Sequence, residues 1–327
     1  MNLSQLRNYL SKKLYDRFLH KNNHLELVDE VSELRIKMRK LNLNLSLQNM
    51  IIESLYMLVL RTNFLEQKYG LKKEIIEKVS TQECLFALDY RSNFYLTPYN
   101  DKIITPYLNK VGYWEKNVSL FLEVILPDMR TFVNIGANFG YHVIQQAQNY
   151  PHLRVIAIEP HYKTFKLLKS NCELNNVKIE LLELAISSTN GPVTLYQSEF
   201  NGGNNRLDPF ENSQYVSTVD SLTIEICLQN LQVDQGVFLI DMQGREIETI
   251  NSIFQLQKGK TICIFELDID LNVNNEEYYR VLIEKFPDNI TFSILDSITD
   301  LRKLTRNEFT EELLNSYNKD LIGICQN

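Results

Sequence analysis

Two different hydrophobic periods divide this chain. From Leu27 apolar residues recur at alternating steps of four and three, through Val31, Leu34, Met38, Leu41, Leu45, Ile52, Leu55 and Val59, with Gln48 and Thr62 as the polar members. That heptad pattern predicts a long helix. Val31, Ile52 and Val59 fall on a positions and Leu27, Leu34, Leu41 and Leu55 on d, the distribution that favours a parallel two-stranded coil. Residues 27–62 are therefore expected to make a homodimer, with packing on the chain's own following domain as the alternative. Ahead of them, Leu3, Leu6, Leu10 and Leu14 line one face of residues 1–23, which carry Arg7, Lys12, Lys13, Arg17 and Lys21 against Asp16. Such a basic amphipathic helix suits peripheral contact with an anionic membrane, or a solvated cap on a bundle. Residues 1–70 hold one glycine, Gly70, and no proline, and a helical N-terminal region is expected to reach residue 85.

From residue 86 the period changes. Apolar, β-branched runs occur at 131–137, 154–160, 179–186, 237–243, 261–270, 291–296 and 320–326, with helical patterns at 141–150, 163–176, 245–257 and 276–286. Strand and helix in alternation predict an α/β domain over residues 86–327, a doubly wound, mostly parallel sheet of seven strands with ligands at the strands' carboxyl ends. Residues 187–222 interrupt the alternation, and PVTLY, NGGNNR and VSTVDSL read as a hairpin and loop inserted between the third and fourth strands. Long loops in such domains commonly carry function.

Composition narrows the classes. Of 327 residues 44% are hydrophobic and 23% charged, with 11 Gly and 8 Pro, which excludes a disordered or collagen-like chain. A net charge of −7 leaves no excess of Lys and Arg to hold a phosphate backbone, so no nucleic-acid partner is expected. Cys84, Cys172, Cys227, Cys263 and Cys325 are odd in number and show no CxxC spacing. A disulfide framework or zinc knuckle is not expected. The N-terminus has no uninterrupted apolar stretch, and Glu53 breaks the most apolar later one, so the expected protein is reduced and cytoplasmic.

The candidate chemistry begins at Asn134-Ile-Gly136-Ala-Asn138-Phe-Gly140, which follows a strand and opens a helix. Gly136 permits a tight turn, and Gly140 is expected to let a ligand approach the helix N-terminus, whose N–H groups favour a carboxylate or phosphate. Glu159, 19 residues after Gly140 and ahead of Pro160, is placed to accept hydrogen bonds from two ribose hydroxyls. Glycine turn and spaced acid together indicate a nucleoside cofactor, with NAD and S-adenosylmethionine the leading choices.

The runs FVNIGANFGYH, VIAIEP, LLELAISSTNGPVTLY, VSTVDSL and LIDMQGREIETI, in that order, resemble the FkbM family of S-adenosylmethionine-dependent methyltransferases over residues 110–325. The most specific piece is Asp241-Met-Gln243-Gly244-Arg-Glu246, similar to the family's D-x-E/Q-G-x-E. The resemblance implies a class I methyltransferase fold, Rossmann-like, whose last strand runs antiparallel, and O-methylation as the usual activity. One position departs. Asn134 stands where the family usually has Asp, so an acceptor remains for the cofactor's ammonium group and the charge is lost.

A cofactor with a carboxylate, an ammonium and an adenosine needs the glycine turn, an acceptor and a ribose-binding acid, and all three occur here in order. Ala185 and Ile186 are expected to flank the adenine, and Glu115 in GYWE to reach the cationic end unless it is a surface residue beside Trp114. For the reaction, Asp241 is the expected base, Glu266 the second carboxylate and His142 a further candidate. Asp241, Glu266 and Asp268 form an alternative set for Mg²⁺ or Mn²⁺, with Asp270 close behind, although a sulfonium methyl group needs no metal and none is favoured. Glu246 fits either catalysis or stabilisation of a helix N-terminus. Asn201, Asn204, Asn205, Arg206 and Gln243 offer donors and acceptors suited to a polyhydroxyl substrate, or a plain polar turn. The expected acceptor is a sugar hydroxyl of a surface glycan or its nucleotide-linked precursor. A secondary metabolite or lipid hydroxyl, or a non-catalytic dimerisation partner of the same fold, are the alternatives.

Overall fold

The computed structural model describes residues 84–91, 93–98, 101–198, 205–207, 213–242, 245–266, 276–297, 300–315 and 322–327. All belong to one unit, Glu83–Asn327. The heptad segment and the basic segment before it lie outside the described residues.

The unit opens with an antiparallel hairpin, β1 (Cys84–Leu88) and β2 (Phe94–Pro98), followed by α1 (Ile104–Val111) and α2 (Lys116–Ile125). β1 begins ahead of the expected boundary at residue 86. Then come β3 (Thr131–Ile135), α3 (Tyr141–Asn149), β4 (Arg154–Ile158), α4 (Tyr162–Leu174) and β5 (Glu180–Leu182). The inserted region holds β6 (Ala185–Ile186), β7 (Gly191–Ser198), β8 (Asn205–Arg206) and β9 (Ser213–Leu222). The chain continues through α5 (Ile224–Leu231), β10 (Gly236–Ile240), α6 (Glu246–Leu256), β11 (Thr261–Glu266), α7 (Glu276–Glu284), β12 (Thr291–Ser297), β13 (Asp300–Leu304), α8 (Arg306–Leu314) and β14 (Ile322–Gln326).

The main sheet runs β13-β12-β14-β11-β10-β3-β4-β5. β10 is parallel to β3 and β11, β3 to β4, and β4 to β5, while β14 is antiparallel to both of its neighbours. Without β13 this is the seven-stranded class I methyltransferase arrangement, its antiparallel last strand inserted beside β11. The eighth strand, β13, pairs with β12 at the edge and had no separate signal among the apolar runs. A second correction concerns residues 179–186, expected as one strand. β5 ends at Leu182, and Ala185–Ile186 instead join the four-stranded sheet β6-β9-β7-β8. Helices α1, α2, α5 and α8 add to the four that were expected.

Strand alternation builds both cores. On one face Val133, Ile135, Ile156, Ile158, Phe238, Ile240 and Phe265 pack against α5, α6, α7 and α8. On the other, Phe132, Val155, Ala157, Leu239 and Ile264 pack against α1, α2, α3 and α4. Continuous apolar runs are what a sheet buried on both faces requires. The N-terminal hairpin is tied in by Asp89, whose buried carboxylate accepts from the Arg91 and Asn93 amides, Asn93 Nδ2, Tyr95 Oη and Gln145 Nε2 at 2.8–2.9 Å.

Candidate cofactor and methyl-transfer site

Register brings the site together. Ile158, Ile135, Ile240 and Phe265 are neighbours across four parallel strands, and one residue further along come Glu159, Gly136, Asp241 and Glu266. Three carboxylates thus share one row at the carboxyl edge of the sheet, with a glycine between the first two. The glycine is needed there. Gly136 has φ +83°, and a Cβ on it would stand 1.9 Å from the Asp241 carbonyl oxygen. The Asp241 amide donates to the Ile135 carbonyl at 2.9 Å, which fixes that close approach.

The glycine turn is closed internally. Gly136 and Ala137 amides both donate to the Ile158 carbonyl at 2.9 Å, Asn138 to Glu159 Oε2 at 3.0 Å, Phe139 to Asn138 Oδ1 at 2.9 Å and Gly140 to the Ala137 carbonyl at 2.9 Å. The turn's own N–H groups are thereby taken. Gly140, at φ +95°, leaves its Cβ space to Leu168 Cδ1, 2.5 Å from that position, so helix packing and backbone conformation both require a glycine there.

Glu159 is 5% exposed. One oxygen accepts from Asn138 and the other from the His161 amide at 2.9 Å, and each keeps a further lone pair. Burial pushes its carboxyl up to about 7, against the two backbone hydrogen bonds that favour the charged form. Its backbone stops where the strand does, because Pro160 has no N–H to continue a ladder.

A cleft of about 710 Å³, counting the space open to solvent, lies along this edge. Gly136, Asn138, Glu159, Pro160, Ala185, Asn205 and Asp241 line it among the residues expected from sequence, and Ile186 does too. Leu184, Leu207, Met242 and Arg245 line it as well, without having been singled out. Met242 and Arg245 sit inside the Asp241–Glu246 motif, which was the available signal. Leu207 had none, since the pairing of β8 with β7 is what turns it inward. Arg206, between Asn205 and Leu207, is not itself in the lining, as alternation along an extended segment gives. Asn201, Asn204, Gln243, Gly244, Asp268 and Asp270 lie outside the described residues.

Glu266 ends β11 in the same row without lining the cleft. Glu246 opens α6 with its side chain turned inward, Oε1 accepting from the Met242 amide at 2.9 Å, which holds the turn after Asp241. Arg245 Nη1 donates to Ser188 Oγ at 3.3 Å. Glu115, His142 and Asn134 stand apart from the lining. Glu115 Oε2 is 3.0 Å from His142 Nε2, and Asn134 is buried in β3. Among the described residues no group of three or more His, Cys, Asp or Glu is placed to hold a metal ion.

A seven-strand methyltransferase order with a carboxylate at the end of the second strand and another at the end of the fourth defines a class I methyltransferase. The methyltransferase FkbM domain matches residues 134–310, more than half of the chain, and the chain belongs to that family of S-adenosylmethionine-dependent methyltransferases. No curated protein sequence matches it. Among solved structures it is similar to an O-methyltransferase from Bacillus cereus in complex with SAH, 13% identical over 80% of this chain and 95% of that one, TM-score 0.38. It is also similar to TYW2 of M. jannaschii in complex with AdoMet, 11% identical over 75% and 85%, TM-score 0.39. A third is the O-methyltransferase TomG from Streptomyces achromogenes, involved in tomaymycin synthesis and in complex with SAM, 11% identical over 66% and 81%, TM-score 0.38. The sequence family, rather than these structures, carries the assignment.

Proposed function

We propose that this methyltransferase methylates oxygen, and that its acceptor is a sugar hydroxyl of a surface glycan, such as capsule or O-antigen, or of the nucleotide-linked precursor. The observation that carries the reading is the row of Glu159, Gly136 and Asp241 at the mouth of one cleft. The residues present fit S-adenosylmethionine. Glu159 has an unused lone pair on each oxygen for the ribose hydroxyls, Leu184, Ala185 and Ile186 supply an apolar wall for adenine, and the buried Asn134 Oδ1 has no partner among the described residues. When bound, the cofactor supplies a methyl group already activated by the sulfonium.

What remains for the protein is alignment and removal of a proton from a weakly acidic hydroxyl. Asp241, half-buried and one strand from Gly136, takes that proton. Glu266 stands one strand further and keeps the site negative toward a developing oxonium. Asn205 and Arg245 border the same space and offer donors to neighbouring hydroxyls. The glycan class rests on the family's common use and on the Asn-rich segment of the insertion. Incubation of nucleotide sugars and glycan extracts with the protein and isotopically labelled cofactor should give a labelled sugar with the mass shift of one methyl group. Labelling of amine or thiol acceptors alone would remove the O-methyl assignment.

For assembly, residues 27–62 are the proposed dimerisation segment and residues 1–23 the proposed contact with an anionic membrane face, the protein itself working in the cytoplasm. No helix among the described residues is long and apolar enough to cross a membrane.

A further inference from the structure

We propose that the outer face of α1, with the aromatic cluster at its C-terminal end, is a docking surface for an anionic lipid bilayer. It belongs to the catalytic unit, apart from residues 1–23, and needs neither cofactor nor acceptor.

The face is apolar where it meets solvent. Ile103, Tyr107 and Val111, spaced four residues apart, are 48%, 47% and 43% exposed, while Ile104 and Leu108 of the same segment pack into the core. Trp114 extends the stripe, its ring edge-on to Tyr107 with centroids 5.9 Å apart. The chain turns at Gly112, whose carbonyl accepts from the Tyr90 amide at 2.9 Å. That bond brings Tyr90 to the end of the helix, where its ring stacks on Tyr113 at 4.0 Å. Two aliphatic and four aromatic side chains thus gather on and around one helix, and a grouping of this kind marks an interaction site, unlike single exposed residues.

Charge names the partner. Lys102, Lys110 and Lys116 are exposed around this face, and none of them enters an ion pair among the described residues. The carboxylates of the same segments are engaged within the protein. Asp101 accepts from the Ile103, Ile104 and Thr105 amides, Glu115 meets His142, and Glu123 pairs with Tyr90 Oη and Arg91. The charge offered outward is therefore that of the lysines, in a chain whose net charge is −7. Lysines set around aliphatic and aromatic groups suit the boundary of an anionic bilayer, where ammonium groups meet headgroup phosphates while the apolar groups enter the acyl region.

A sugar chain fits this face less well. Sugars stack on open ring faces, whereas Lys116 Nζ stands over the Tyr113 ring at 5.4 Å and Arg91 over the Tyr90 ring at 5.1 Å, so both rings of that stack already carry a cation. Ile103 and Val111 add no stacking surface. The next residue after Trp114 is Glu115, which reaches His142 in the first turn of α3, directly after the glycine turn. This end of the face therefore borders the carboxyl edge of the sheet, and docking brings the edge that carries the cleft toward the headgroups.

Trp114 is the single tryptophan of the chain, so its emission reports on this face. When the intact protein meets phosphatidylglycerol vesicles at low salt, that emission should shift to the blue and be quenched by brominated acyl chains. Phosphatidylcholine vesicles should do neither. Lys102→Gln, Lys110→Gln and Lys116→Gln combined should weaken sedimentation with phosphatidylglycerol vesicles about a hundredfold and leave S-adenosylhomocysteine binding unchanged. Ile103→Ser with Val111→Ser should weaken the quenching at an unchanged thermal midpoint. Protein that does not sediment with the vesicles, or that does so while Trp114 emission stays unchanged, overturns the proposal, the second result assigning lipid contact to another segment. A neutral polysaccharide that shifts Trp114 emission as the vesicles do assigns the face to a glycan and overturns it. If the serine variant dissociates a dimer and still binds vesicles as the wild type does, the face belongs to a second copy of the chain and the proposal falls.

Discussion

Glu159 and Asp241 share one row and differ in their surroundings, the first buried and the second half-buried. Glu159 is enclosed and its carboxyl sits at about 7, above the 4.5 of an exposed glutamate. Between those values the unfolded chain is ionised there and the folded one is protonated, so the folded state binds more protons and stability falls as pH rises from 4.5 to 7. The loss amounts to about 3 kcal/mol and is complete above pH 7. Urea unfolding across pH 5 to 7.5 should show that slope in the wild type and a flatter one in Glu159→Gln. Identical slopes would place the titration elsewhere. The same variant should weaken cofactor binding by about 1.5–3 kcal/mol, because charge-assisted bonds to the ribose are lost. Ribose hydroxyls favour the carboxylate, so binding at pH 6 should release a proton, visible as a dependence of the calorimetric heat on buffer ionisation enthalpy. Asp241→Asn should act on turnover instead, lowering it by roughly 10²–10⁴ with nearly unchanged cofactor affinity. Full activity in that variant would move the base to Glu266.

At the scale of elements, the site depends on how β3 and β10 are registered. Ile135 pairs with Ile240, the Asp241 amide reaches back to Ile135, and the Gly136 turn closes against the Asp241 carbonyl. Gly136→Ala adds a methyl where backbone already stands, at a φ that L-residues seldom adopt. It should destabilise the domain by about 2–4 kcal/mol in urea titration, and cofactor binding should fail at the same time because Asp241 must move. Sequence made part of this visible: the glycine turn, Glu159 and the Asp241 motif are each local strings. That Leu207 and Asn205 face the cleft while Arg206 does not was unreadable, because β8 acquires its faces only from its pairing with β7, which in turn pairs with β9 through a bulge. The same holds for residues 179–186, whose apolar run, broken by Glu180 and Glu183, gives no hint that they divide between two sheets.

For the whole molecule, the heptad at residues 27–62 and the catalytic unit from Glu83 onward predict a separable arrangement. If the heptad forms a parallel coil, the intact protein should be a dimer by light scattering, and Leu34→Glu with Leu41→Glu should convert it to monomers that still bind cofactor. Burying like charges at two d positions costs several kcal/mol each, more than a coil of about five heptads tolerates. A double variant that stays dimeric would assign the dimer to the catalytic fold.

The sequence by itself determined the class of the fold, most of its alternation of strand and helix, and the strings that stand out as candidates for cofactor binding. These follow from local periodicity and from backbone demands made within a few residues, such as a positive φ at Gly136. Tertiary structure alone decided what the strings do to one another. It put Glu159, Asp241 and Glu266 in one row, spent the Gly136, Ala137 and Asn138 amides on Ile158 and Glu159 and brought Glu115 onto His142, 27 residues away. Those outcomes depend on strand register and on the packing of α2 beside α3, which are set by side chains distant in sequence and carry no local signature.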